Sequence, residues 1–284
     1  MTPSEQPVAQ ASRFTHDAMH TTFCFRFSDI EPALAASLAR ECAEKLDALE
    51  TSLSRFIDGG DIWRINHLRA GETILIGDDC HRCLLQALQA WSDTGGLFDV
   101  TLGRKIEQRR SGSAEASPPA AGRLTIHPDR AAVTCEEAGR EIDLGGIGKG
   151  FALDALAELL EPWNIPAALL SAGASSHLAV GNATWPIELA GDKETLRLEL
   201  RNMAMSASGT GIQGNHILHP AGDEAMPTHS AKRLWVCAES ATRAEIWSTA
   251  LMLVSPAELI DLKQDLTEIR QLVVEDQSGL QTIW

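Results

Sequence analysis

The chain has 284 residues, with 24 basic and 39 acidic side chains, a formal charge of −15, and 44% hydrophobic and 22% charged residues. Those proportions are those of a globular chain long enough to bury a sizeable core, and they exclude wholesale disorder. The acidic balance also excludes a nucleic-acid footprint, which needs a basic surface against phosphates, while a local basic pocket for a small phosphorylated ligand stays open.

Residues 1–15, MTPSEQPVAQASRFT, contain no apolar run, whereas a secretory signal needs roughly 7–15 consecutive apolar residues. No segment approaches the roughly 20 apolar residues of a membrane span. The expectation is a cytoplasmic protein without a membrane span, with residues 1–17 as a flexible N-terminal arm and residues 18–284 as one domain. Six cysteines, at positions 24, 42, 80, 83, 135 and 237, are too sparse for a disulfide scaffold. Cys80 and Cys83 form one CxxC pair, and no second pair completes the four ligands of a structural zinc site.

Residues 20–27 alternate, with Phe23, Phe25 and Phe27 on one face, which predicts a strand. Ser28 and Asp29 are placed to cap a helix over 32–56, whose apolar residues Leu34, Leu38, Cys42, Leu46, Leu49, Leu53 and Phe56 recur every three or four positions. A second helix is expected over 79–93, closed by Gly95 and Gly96. Residues 104–122 are polar and rich in Pro, Ala and Ser, and read as a surface loop. Short strands are predicted at 124–126 and 131–134, then a helix over 149–160. Strands follow at 167–171, 185–190, 196–200, 203–206, 234–238 and 270–275, with a helix over 240–254. The pattern is mixed α+β without an internal repeat or linker.

Four segments carry chemistry. Residues 141–154 place Gly145, Gly146, Gly148 and Gly150 within six positions at a helix start, where backbone groups can approach a ligand and Lys149 can neutralise a phosphate. The spacing matches neither a P-loop nor a dinucleotide fingerprint, and it fits a tight strand-to-helix turn equally well. Asp99 and Thr101 share one face if the segment Phe98–Gly103 is extended. Glu245, Ser248 and Thr249 stand at i, i+3 and i+4, so three oxygen side chains lie along one helix face, as a hard cation would require or as a polar stripe on a half-buried helix would give. His216, in His216-Ile217-Leu218-His219-Pro220, is a candidate base near neutral pH.

Taken in order, these segments resemble the ApbE family, the FAD:protein FMN transferases, from Ala18 to about Leu253. Ala18-Met19-His20-Thr21 is similar to the family's AMGT, and Ser54-Arg55-Phe56 through Asn66 to its STY and SRLN stretch. Residues 98–103 resemble FDPTVG, and residues 142–154 follow IDLGGIAKGYAVD almost residue for residue. Leu170 to Gly173 resembles VNAGGD, Ser208-Gly209 and His216 to Pro220 resemble TSG and HIIDP, and Ala244 to Leu251 resembles ADALATAL. The resemblance implies a single ApbE-type, T-fold-like unit of mixed antiparallel sheets with flanking helices. It implies that Met19, Phe56, Asp99, Thr101, Asp143, Lys149 and Leu218 line an FAD site. The Gly146 carbonyl, Glu245, Ser248 and Thr249 would surround Mg²⁺, with His216 and Lys149 as the catalytic pair. The implied reaction moves FMN from FAD to a Ser or Thr hydroxyl of a partner protein and releases AMP. The alternatives are a flavin-binding module without transfer, or hydrolysis of FAD to FMN and AMP. The chain departs from the family pattern at His20 for Gly, Phe56 for Tyr, Ala174-Ser175 for Gly-Asp, His219 for Asp and Glu245 for Asp. Ser248 stands at the position of a frequent second carboxylate, so negative charge near the implied metal is reduced.

Overall fold

The computed structural model describes residues 11–111, 121–209, 217–222, 226 and 231–284. Its centre is an eight-stranded sheet, entirely antiparallel, in the order β1-β2-β6-β7-β10-β11-β12-β13. The strands are β1 (Ala11–Ala18), β2 (Thr21–Ser28), β6 (Ala167–Ala172), β7 (Ser176–Gly181), β10 (Ala204–Gly209), β11 (Arg233–Ala238), β12 (Ile269–Asp276) and β13 (Gly279–Thr282). A small sheet joins β3 (Thr73–Leu75), β5 (Ala132–Glu137) and β4 (Arg123–Ile126), and β8 (Trp185–Ala190) pairs with β9 (Thr195–Leu200) as a hairpin. The α+β class with mixed antiparallel sheets and flanking helices is therefore the one observed.

Period-two alternation divides the side chains of the large sheet between two cores. On one face Phe23, Phe25, Phe27, Leu170, Leu234, Val236 and Val274 pack with the helices α1 (Pro32–Leu53), α3 (Asp78–Asp93), α5 (Gly148–Leu160) and α6 (Ala241–Leu251). On the other face Leu169, Met205, Trp235, Cys237 and Val273 meet the inward residues Trp185, Ile187, Leu189, Leu198 and Leu200 of the β8–β9 hairpin. No helix among the described residues is long and apolar enough to cross a membrane.

Several expectations are corrected. Residues 11–17 belong to β1, which pairs along its whole length with β2, so the flexible arm does not include them; its exposed alternate positions are polar, which hides the strand from a hydrophobic pattern. Residues 104–111 belong to the helix α4 (Gly103–Ser111) rather than to a loop. The first long helix starts after Glu31 with Pro32 in its first turn and no side-chain cap from Ser28 or Asp29, and it ends at Leu53, leaving Phe56 outside it. The 240–254 helix closes at Leu251. Additional elements are β1, β3, β7, β13, α2 (Asp61–Asn66) and α7 (Pro256–Asp261). The CxxC cysteines lie inside α3, both buried, and burial pushes both thiols upward and keeps them protonated.

Candidate nucleotide and phosphate site

Three remote segments meet at the start of α5. The strand-like run before it lies beside residues 100–103: Gly103 N donates to Glu141 O at 2.9 Å and Asp143 N to Val100 O at 2.8 Å. Asn66, at the end of α2, holds the same run by two bonds, Ile142 N to Oδ1 at 2.7 Å and Nδ2 to Ile142 O at 2.9 Å. The Asp143 carboxylate turns back to accept from Gly145 N at 2.9 Å and lies 3.4 Å from the Arg55 guanidinium and 3.9 Å from that of Arg110. Arg55 also donates to Gly103 O at 2.8 Å and pairs with Glu141 at 2.6 Å.

Asp99 and Thr101 sit in a turn, not in an extended strand. Asp99 Oδ1 accepts from Thr101 N at 2.8 Å and from Thr101 Oγ1 at 2.7 Å, an Asx turn that competes with strand geometry. The Thr101 hydroxyl in turn accepts from Arg140 at 2.6 Å. Met19 and His20 form the two-residue β1–β2 turn, with φ of 50° and 57°. That is the left-handed pair a tight hairpin demands, and it explains why Gly suits position 20. Met19 N is fixed by Glu50 Oε1 at 2.7 Å. Phe56 is 54% exposed, with the His20 ring edge-on at 6.4 Å and the Arg55 guanidinium over its face at 5.5 Å.

On α6 the expected shared face is present. Glu245 is 3% exposed; its Oε1 pairs with the Lys149 ammonium and its Oε2 accepts from Gly150 N at 2.5 Å. Ser248, fully buried, donates to Glu245 O at 3.0 Å and lies 2.9 Å from Ser208 Oγ, while Thr249 Oγ1 is 3.5 Å from Ser208. Gly146 packs against this row: a Cβ there would stand 3.1 Å from Phe98 and 3.6 Å from Thr249 Oγ1. Asp99, Thr101, Asp143, Gly146, Lys149, Glu245, Ser248 and Thr249 are thus linked through the 98–103 segment and the α5 turn. Met19 and Phe56 lie across the adjoining β1–β2 turn and the end of α1. Leu218 is half-buried beside His219, and His216 lies outside the described residues.

Sequence reasoning missed Glu50, Arg110 and Arg140, which position Met19, Asp143 and Thr101. No local signal marks them, because each acts across a long sequence separation. Two cavities of about 480 and 590 Å³ share Leu97, Val254 and Leu262 and lie towards α7; neither is lined by Lys149, Asp143 or Glu245.

The family model "ApbE family" matches residues 19–273, and the chain belongs to the ApbE family. It is 22% identical to an FAD:protein FMN transferase of Klebsiella pneumoniae, over 99% of this chain and 89% of that protein. It is 23% identical to the protein of the same name from Salmonella typhimurium, over 89% and 81%. Among solved structures it is similar to the apo form of the Pseudomonas stutzeri flavinyl transferase ApbE, with 25% identity, 96% and 93% coverage and a TM-score of 0.81. The flavin transferase ApbE of Vibrio cholerae, 18% identical, has a TM-score of 0.79 with 96% of both chains covered.

Proposed function

We propose that this chain transfers FMN from FAD to a Ser or Thr hydroxyl of an acceptor protein and releases AMP. The observation that carries the reading is the convergence of the 143–150 turn with Asp99, Thr101 and the α6 face, in a chain of a family whose curated relatives bear that activity in their names.

In the reaction the acceptor hydroxyl oxygen attacks the FMN-side phosphorus of the pyrophosphate. A new P–O bond forms, the bond from that phosphorus to the bridging oxygen breaks, and AMP leaves with the electron pair. The hydroxyl proton passes to a base, for which His216 is the candidate. Negative charge grows on the bridging oxygen, and a fixed cation beside it lowers the barrier. Lys149, in the first turn of α5, is the candidate for that work through its ammonium. Met19, Phe56 and Leu218 offer apolar surface to the flavin nucleotide. Asp99, Thr101 and Asp143, each fixed by its own backbone or arginine partners, offer oriented polar atoms.

A Mg²⁺ ion held by Gly146, Glu245, Ser248 and Thr249 does not fit the side chains as they stand. Both oxygens of Glu245 already accept, one from the Lys149 ammonium and one from Gly150 N, so a cation at this carboxylate would sit against the Lys149 charge, and Ser248 Oγ donates to Glu245 O with Ser208 Oγ 2.9 Å away. Mg²⁺ is ordinarily held by one or two carboxylates together with substrate phosphates. Here the single carboxylate has its charge balanced from within the protein, so no step is assigned to a metal.

The experiment is incubation of purified protein with FAD and a Ser/Thr acceptor domain of the family type, following AMP by chromatography and covalent flavin by in-gel fluorescence. Labelled acceptor with matching AMP supports transfer. AMP with free FMN means hydrolysis, and bound FAD without AMP means a binding module; either result overturns the reading.

A further inference from the structure

The side chains that resemblance assigns to a divalent ion hold another cation instead. We propose that the Lys149 ammonium, carried on the buried carboxylate of Glu245, is the resident cation of the nucleotide site and that this chain works without a divalent metal; the inference rests on the FMN-transfer reading above.

Gly150 sets the spacing of the two helices. A Cβ at this position would stand 2.4 Å from Ala241 O, so the first turn of α5 lies directly against the start of α6. At that spacing a glutamate at 245 spans the gap and lays one oxygen on Gly150 N and the other on Lys149. An aspartate there would fall short by about 1.5 Å, one C–C bond, and would leave Gly150 N without this partner. The extra methylene that separates this chain from the family pattern is therefore what lets the carboxylate reach both donors. A metal ion seeking Glu245 would meet the charge of the ammonium already paired with it and would compete with Gly150 N for the same carboxylate, both unfavourable.

Among the described residues, the hydroxyls beside Glu245 add no compensating charge. Ser206, Ser208, Ser248 and Thr249 are neutral hydroxyls that bond or approach one another. Among the described residues no group of three or more His, Cys, Asp and Glu side chains is placed to hold a metal ion. Lys149 itself keeps 26% of its side-chain surface open. An ammonium carries three donors, so with one on Glu245 two remain to face phosphate oxygens. Glu245 then acts as a positioning residue: it aims the ammonium and takes no part in the bond changes.

The test is direct measurement of Mn²⁺ uptake by the FAD-loaded full-length protein, using the electron paramagnetic resonance signal of free Mn²⁺, in parallel with transfer assays in EDTA. The wild type is expected to take up no stoichiometric Mn²⁺ and to transfer at an unchanged rate in EDTA. Lys149→Met is expected to lose transfer by about 100-fold. Where that variant fails to fold because Glu245 is left unpaired, Lys149→Met with Glu245→Gln removes both charges and is expected to show the same loss. Glu245→Asp, which releases the ammonium, is expected to gain Mn²⁺ uptake. Stoichiometric Mn²⁺ uptake by the wild type, or loss of transfer in EDTA that Mg²⁺ restores, overturns the proposal. If no acceptor is labelled and no AMP forms under any condition, the transfer reading fails, and Mn²⁺ uptake still decides which cation is resident.

Discussion

Asp154 and Thr242 are 88 positions apart, yet Asp154 Oδ2 accepts from both the backbone N–H and the hydroxyl of Thr242, at 2.8 and 2.6 Å. The same carboxylate accepts from Ser240 Oγ at 2.9 Å and from Ala241 N at 2.8 Å. It is an anion at the N-terminus of α6, where the free N–H groups and the helix dipole favour negative charge. It also ties α5 to α6, and so Lys149 to Glu245. Asp154→Ala is expected to lower unfolding stability by about 3 kcal/mol, since buried donors lose a charged acceptor. Urea denaturation measures this, and a loss within error of zero would remove the tie from the account.

The glycines of the α5 turn are not equivalent. Gly150 has Ala241 O at 2.4 Å from a would-be Cβ, whereas nothing lies within 4 Å of one at Gly148. Gly150→Ala is expected to separate α5 from α6 and lower the melting temperature by several degrees, equivalent to about 2 kcal/mol. Gly148→Ala is expected to be neutral or slightly stabilising, because alanine favours the helix. Equal melting temperatures for the two variants would contradict the close approach.

Phe56 tests the proposed flavin contact. At 54% exposure it contributes little to the core, so Phe56→Ala is expected to leave the melting temperature unchanged. If the ring supports the nucleotide, loss of aromatic contact should raise the FAD dissociation constant about tenfold, which corresponds to about 1.4 kcal/mol. Quenching of FAD fluorescence on titration gives the constant directly.

His177 sets a pH dependence. It sits on β7 with Nδ1 2.8 Å from Ser171 Oγ. Burial, aided by the nearby Arg26 charge, pushes its pKa down from 6.5 to about 4. The folded state therefore binds fewer protons than the unfolded state between those values. Stability is full above pH 6.5 and falls as the pH drops towards 4, by up to about 1.4 kcal/mol per pH unit. His177→Gln should flatten that slope in urea titrations between pH 4 and 6.5; an unchanged slope would assign the pH dependence to other groups.

Periodicity made much of the fold legible. The three- and four-residue spacing of Leu38, Cys42, Leu46 and Leu49 marks α1, and the alternation of Trp185, Ile187 and Leu189 marks β8. It failed where polar residues fill the open face of an edge strand, as with Thr15 and Asp17 in β1, and where charge conceals a helix, as in α4. At the site, the spacing of Glu245, Ser248 and Thr249 told which side chains share a face but not what they touch. Whether Glu245 meets a metal or Lys149 depends on the distance between two helices, and Gly150 sets that distance from 95 positions away. Asp99 and Thr101 come together through an Asx turn, which a two-residue strand period cannot distinguish from a shared strand face.

β1 and β13 are the two outermost strands of the eight-stranded sheet, so its first and last segments in chain order lie seven strand spacings apart. At about 4.8 Å per spacing this is about 34 Å measured along the sheet, and less in a straight line because sheets coil. A donor dye on β1 and an acceptor dye on β13 would therefore report on every strand pairing between them. The pair forms a molecular ruler for whether the sheet opens, twists or stays rigid during turnover.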